Sequence, residues 1–166
     1  AARLEYILVP IAFGFGTALT AMVATNMGAG NAKRALRVAW LGAAIVAAIT
    51  GGIGLTTAIA PALWMNLFTQ DAAVREFGAS YLRIVGACYG LYGFGLALFF
   101  ASQGAGRMFW PLAGGVARLV IVALGGWVCV HVLQTSASGF FVVVAASLGL
   151  YGLIIAAAIK FGSWAR

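Results

Sequence analysis

Long apolar runs alternate with short polar segments along this 166-residue chain. Five of the runs contain about 20 residues or more, the length that crosses the hydrocarbon core of a bilayer at about 1.5 Å per helical residue. The pattern therefore predicts an all-α fold, a polytopic membrane helix bundle with five transmembrane helices. The predicted spans are residues 6–27, 36–60, 77–102, 111–132 and 139–159.

The composition indicates that lipid is the surrounding solvent. Hydrophobic residues make up 64% of the chain and charged residues only 8%, whereas soluble domains carry about 25% charged residues. Because so few polar side chains could not cover a soluble fold, membrane lipids are expected partners. The 23 glycines fit this class, since membrane helices pack through small residues. Gly86 and Gly90 are four residues apart, a spacing typical of a close helix–helix contact.

The basic residues indicate membrane sidedness. A net charge of +7 would suit a nucleic-acid partner, but these residues lie in short loops, so no nucleic acid is expected. Alternate loops fall on opposite sides. One side holds basic residues and no acid: Lys33, Arg34, Arg37, Arg107, Lys160 and Arg166. The other holds equal numbers of both: Arg3, Arg75, Arg83, Glu5, Asp71 and Glu76. The positive-inside rule places the loop 27–37 and the C-terminus in the cytoplasm.

The longest predicted connection, residues 61–76, lies on the opposite, outer side. Trp64 and neighbouring apolar residues recur there at helical spacing, which favours a short interfacial helix. A gate or lid is the alternative interpretation. Asp71 is well placed to cap the helix that follows.

Two short segments resemble each other. Residues 27–31 read MGAGN and residues 103–107 read QGAGR, and both end a helix that runs towards the basic side. Glycine is common at helix C-termini. The similarity is compatible with a repeat of helix pairs.

The third predicted helix, residues 77–102, is the least lipid-like of the five. Tyr89 and Tyr92 lie in the middle of this span, where a phenol needs a hydrogen-bond partner or a wet cavity. Hydrogen bonding to a neighbouring helix is one interpretation. Lining a substrate pathway is the other, and Phe99 and Gln103 are candidates for the same pathway.

Arg118, which is in neither loop group, falls inside a predicted span. It lies seven residues after Pro111, about 10 Å along a helix, and leaving its charge in lipid would cost at least ~2.5 kcal/mol at the bilayer centre. It can extend back to the lipid headgroups. Alternatively it faces the bundle interior, where it caps carbonyl groups or meets a substrate or lipid headgroup. Asn26, Thr20 and Gln103 are polar candidates nearby, with helix–helix hydrogen bonding as their default role.

Acidic residues are scarce, which restricts the chemistry. The chain has three, and none lies between residues 77 and 166. No carboxylate dyad, metal cluster or Ser-His-Asp arrangement can therefore form within these helices, and there is no P-loop. We expect neither an enzyme nor a cofactor, and any pumping must draw on an ion gradient or on a partner. Glu5, adjacent to a span, is the candidate for ion coupling; a surface pair with Arg3 is the alternative.

Several segments together resemble the multidrug and toxic compound extrusion (MATE) family. MGAGNAKRALR at 27–37 follows an apolar helix as in that family. YLRI at 81–84 and FFASQGAG at 99–106, followed by Pro111, fit the same pattern, as does RLE at 3–5. The resemblance covers essentially the whole chain, although no single motif is diagnostic.

The resemblance implies a transporter of twelve helices in two six-helix lobes. Residues 1–166 would match helices eight to twelve, a partial C-terminal lobe, with the N-terminal lobe of the same polypeptide as its partner. The implied function is antiport: export of cationic or amphipathic drugs in exchange for Na⁺ or H⁺. The implied location is the plasma (inner) membrane of a bacterium-like cell.

One departure from the family bears on ion coupling. Some MATE branches carry a cation-binding acid on the tenth helix, but residues 77–103 contain none. The coupling acid would then be Glu5 or lie in the N-terminal lobe.

A lipid-linked oligosaccharide flippase of the same superfamily is an alternative function, because such proteins often carry basic residues like Arg118 in the cavity. A non-transporting membrane scaffold subunit is another.

Overall fold

The computed structural model describes residues 4–134, 137–161 and 164, and it confirms the all-α prediction. Arg3 and Arg166, which entered the charge comparison, lie outside these residues, as do residues 135–136 of a predicted outer loop. The described part contains seven α-helices and no strand: α1 (Glu5–Gly28), α2 (Ala32–Ile59), α3 (Pro61–Met65), α4 (Ala72–Val85), α5 (Tyr89–Gly104), α6 (Phe109–His131) and α7 (Ala137–Lys160).

Five helical segments are long and apolar enough to cross a membrane, as predicted: Tyr6–Gly28, Ala32–Ile59, Ala72–Gly104, Phe109–His131 and Ala137–Lys160. The basic loop is shorter than predicted. Helix α2 begins at Ala32, so Lys33, Arg34 and Arg37 lie on its first two turns and not in a loop. Lysine and arginine are good helix formers, so the helix begins before the first residue of the apolar run.

The third span is not the single regular helix that the sequence predicted. It begins at Ala72 and is interrupted by a 3₁₀ turn at Gly86–Cys88, which joins α4 to α5. The turn occurs where the backbone of this span touches α2. A Cβ atom on Gly86 would lie 3.0 Å from the carbonyl oxygen of Gly54, and one on Gly51 would lie 3.3 Å from the Cα atom of Gly90. The contact predicted from Gly86 and Gly90 is therefore present.

Helix α5 is the centre of the bundle. It packs against α1, α2 and α7, whereas α6 packs mainly on α7 at the periphery. One apolar core fills the space between α1, α2, α5 and α7. A second core lies nearer the outer connection, where α3 and α4 meet the first turns of α1 and α7.

The outer connection contains the predicted short helix, α3. The predicted helix cap is also present: the Oδ1 atom of Asp71 accepts hydrogen bonds from the amides of Ala73 at 2.9 Å and Val74 at 3.3 Å. These bonds satisfy two amides that the first turn of α4 would otherwise leave unpaired. The gate or lid role stays a prediction.

The turns after α1 and α5 share one backbone geometry. Each has a glycine with positive φ, +74° at Gly30 and +69° at Gly106. In each, the amide after the glycine donates to the carbonyl five residues earlier at 2.9 Å: Asn31 to Asn26, and Arg107 to Ser102. Both turns are therefore Schellman motifs. These two turns and the end of α7 form one end of the bundle, here called the basic end.

Candidate functional site

Arg118 of α6 lies against an aromatic ring of α5. Its guanidinium carbon is 5.0 Å from the centroid of the Tyr92 ring. Tyr92 precedes Gly104, the last residue of α5, by 12 residues, or about 18 Å along the helix. The arginine side chain therefore lies against α5 well away from the basic end, and its predicted contact with a substrate or lipid headgroup stays a prediction.

The aromatic ring provides an electrostatic partner that the nearby helices otherwise lack. No Asp or Glu follows Glu76 in the sequence, so α5, α6 and α7 contain no carboxylate. A cation over the face of an aromatic ring gains about 0.5–1 kcal/mol at an exposed site and about 2 kcal/mol when desolvated. Tyr92 and Arg118 are both half-buried, so their outer edges can be reached from outside the bundle.

Tyr151 of α7 completes a group that we call the arginine–tyrosine cluster: Tyr92, Arg118 and Tyr151. The ring centroids of Tyr92 and Tyr151 are 6.3 Å apart, and Tyr151 is 7% exposed. Helices α5 and α7 approach each other closely here. A Cβ atom on Gly95 would lie only 2.7 Å from the Cα atom of Gly152. Sequence reasoning missed Tyr151. Its position in the middle of the fifth span, the criterion used for Tyr92, was the available signal.

Tyr89 does not join this cluster. It is 1% exposed and belongs to the second core, where Leu82, Val85 and Phe141 are also buried. The structure thus places Tyr89 in the packed outer half of the bundle. Its proposed contact with substrate stays a prediction.

Phe99 and Gln103 lie further along α5, towards the basic end. Phe99 is half-buried, and its ring centroid is 5.7 Å from that of Phe100 in an edge-to-face arrangement. Gln103 is exposed, and its carbonyl accepts the amide of Gly106 at 3.1 Å within the Schellman motif. Neither residue is part of the arginine–tyrosine cluster.

Asn26 bonds within its own helix rather than to a neighbouring one. Its Nδ2 atom donates to the carbonyl of Met22 at 2.7 Å. The hydrogen bond between α1 and α5 comes instead from Thr20, whose hydroxyl donates to the carbonyl of Phe100 at 3.0 Å. Thr20 therefore has the helix–helix role predicted for it, whereas the hydrogen bond of Asn26 stays within α1.

Glu5 is the first residue of α1, but its side chain lies outside the part of the chain that the structure describes. Its coupling role stays a prediction. Among the described residues, no group of three or more His, Cys, Asp or Glu side chains is placed to hold a metal ion.

Comparison with known proteins identifies the family. A search of curated proteins and a search of solved structures each returned no match. The MatE family model matches residues 1–128, more than three quarters of the chain. The matched region includes Tyr92 and Arg118, and Tyr151 lies beyond it. With five helices able to span a bilayer, this chain is an integral membrane protein and belongs to the MatE family of transporters.

Proposed function

We propose that the chain is part of a secondary antiporter that exports cationic or amphipathic compounds in exchange for Na⁺ or H⁺. The observation that carries the proposal is the MatE match over the helices that bear Tyr92 and Arg118. The absence of a P-loop from the sequence supports an ion gradient, and not a nucleotide, as the source of energy. The excess of basic residues at the basic end supports a cytoplasmic location for that end.

The arginine–tyrosine cluster suits an amphipathic substrate. The ring of Tyr92 offers an apolar, polarisable surface, and the guanidinium of Arg118 offers N–H donors to an acceptor group. A cationic group would be repelled by Arg118. The cluster would therefore contact the apolar or acceptor-bearing part of a substrate, and the cationic part would bind further away.

Gradient-driven transport tests this function. The protein at its full natural length is reconstituted in proteoliposomes, and movement of a cationic dye is followed under a Na⁺ gradient and, separately, under an H⁺ gradient. We expect at least one gradient to drive dye movement, and the matching ionophore to abolish it. No movement under either gradient, from protein that is folded, would contradict antiport.

Glu5 is tested in the same assay. If it binds the coupling ion, Glu5→Gln abolishes gradient-driven transport while substrate binding persists, because the amide keeps the shape but loses the charge. An unchanged transport rate would remove Glu5 from the mechanism and place the coupling acid elsewhere in the polypeptide.

One observation favours a second candidate, the flippase for lipid-linked oligosaccharides. Arg118 lies over the ring of Tyr92 within a segment that is apolar enough to span a membrane, and a cation there attracts an anionic headgroup. A translocation assay with a lipid pyrophosphate-linked sugar distinguishes the two functions. Translocation of this lipid without any movement of cationic dye would favour the flippase.

A further inference from the structure

A groove of about 550 Å³ runs along the first three turns of α2, at the basic end. It lies far along the chain from the arginine–tyrosine cluster and shares no residue with it. Its lining residues are Asn31, Lys33, Arg34, Arg37, Val38 and Leu41.

The part of the groove nearest the N-terminus of α2 is strongly positive. Lys33, Arg34 and Arg37 are all exposed, and no acidic residue lies between residues 6 and 70 to compensate them. Asn31, the N-cap of α2, makes no side-chain cap hydrogen bond, and the first turn of the helix holds no acid. The positive end of the helix dipole therefore adds to the charge of the three side chains. This part of the groove favours an anion.

The part of the groove further along α2 is apolar, and this apolar surface continues along the helix beyond the groove. Leu41 is 63% exposed, and Ile45, Leu55 and Ile59 extend the same exposed stripe towards the other end of α2. The opposite face of the helix makes the contacts within the bundle, through Ala35, Ala39, Ala43 and Val46. The groove therefore fits an occupant with an anionic head and an apolar tail that lies along α2.

We propose that this groove binds an anionic phospholipid from the leaflet at the basic end. The phosphate lies among Lys33, Arg34 and Arg37, and an acyl chain lies along Leu41 and Ile45. Charge complementarity selects this occupant, because a net negative headgroup meets three cations with no acid beside them. A zwitterionic lipid carries its own ammonium group and binds more weakly. The proposal is independent of which compound the transporter moves.

Native mass spectrometry of the full-length protein in detergent tests the proposal. Phosphatidylglycerol or phosphatidylcholine is added, and lipid-bound species are counted. Arg34→Gln with Arg37→Gln removes two charges from the groove. The matched control, Arg107→Gln with Lys160→Gln, removes two charges from the same end of the bundle outside the groove. We expect the groove variant to bind phosphatidylglycerol at least about tenfold more weakly than wild type, and the control to stay within about twofold.

Three results would overturn the proposal. The first is unchanged phosphatidylglycerol binding by the groove variant. The second is an equal loss in the control, which would mean that surface charge alone attracts the lipid. The third is displacement of phosphatidylglycerol by inorganic phosphate, which would mean that the groove takes a free anion. Arg34→Lys with Arg37→Lys keeps both charges at the same positions. This variant should bind phosphatidylglycerol about as well as wild type.

Discussion

The contact between Arg118 and Tyr92 depends on how their two helices are oriented. Both residues were candidates from the sequence, one as a charge at membrane depth and the other as a phenol in the middle of a span. Their contact could not be predicted, because it depends on the faces that α5 and α6 present to each other. Tyr151 carried the same mid-span signal as Tyr92, but its contact with Tyr92 depends on the packing of α7 against α5 and could not be predicted.

A double-mutant cycle measures the Arg118–Tyr92 contact. Arg118→Met and Tyr92→Leu, singly and together, are compared by the unfolding free energy of the full-length protein in detergent. We expect a coupling energy of about 0.5–2 kcal/mol, because each single substitution removes the cation–π interaction. Tyr92→Phe retains the ring and should retain the coupling. Additive effects within about 0.5 kcal/mol would show that the two side chains do not interact.

At the scale of elements, the sequence predicted all five spans but not their irregularities. Apolar runs mark where lipid surrounds a helix, and they do not mark where the helix itself begins. Helix α2 therefore starts before its apolar run, with basic residues on its first turns. The 3₁₀ turn at Gly86–Cys88 was not predictable, because it lies at the contact with Gly54 on another helix.

Two glycines of α2 test the contact between this helix and the third span. A Cβ atom on Gly54 would collide with the carbonyl oxygen of Gly86, whereas a Cβ atom on Gly52 would meet nothing within 4 Å. We expect Gly54→Ala to lower the unfolding free energy by about 1–3 kcal/mol, because the two backbones must separate. Gly52→Ala should be neutral or stabilising by up to about 1 kcal/mol. Equal effects of the two substitutions would argue against the close contact.

The two Schellman motifs predict matched effects at two distant positions. Gly30 and Gly106 both have positive φ, a region where an L-residue costs about 1–2 kcal/mol. Gly30→Ala and Gly106→Ala should therefore lower the melting temperature by similar amounts. Gly28→Ala is the control, since Gly28 has open space around its Cα atom and is the last residue of α1. A large loss at one turn and none at the other would contradict their equivalence.

At the scale of the whole molecule, charge and exposure divide the surface. Lys33, Arg34, Arg37, Arg107 and Lys160 lie at the basic end, and α6 is the least buried of the five spans. The charge distribution along the sequence predicts sidedness, and that orientation stays a prediction. Which helix would be central and which peripheral was not predictable, because all five spans are similarly apolar and their neighbours depend on packing.

Labelling of single cysteines tests the sidedness. Asn31→Cys lies in the turn after α1, and Gln70→Cys lies in the outer connection; both positions are exposed. In intact cells, a membrane-impermeant thiol reagent should label Gln70→Cys directly and Asn31→Cys only after the membrane is permeabilised. Labelling of Asn31→Cys in intact cells would reverse the proposed orientation.

Contact between substrate and the arginine–tyrosine cluster is measured most directly by the concentration dependence of transport. Initial rates in proteoliposomes are compared for wild type, Tyr92→Leu, Tyr92→Phe and Tyr6→Leu, the last altering a tyrosine on α1 that is 77% exposed. Loss of the Tyr92 ring should raise the KM for an amphipathic substrate by about fivefold, as expected for about 1 kcal/mol of aromatic contact. Tyr92→Phe and Tyr6→Leu should leave KM unchanged. An unchanged KM in Tyr92→Leu, with transport intact, would place the substrate path elsewhere.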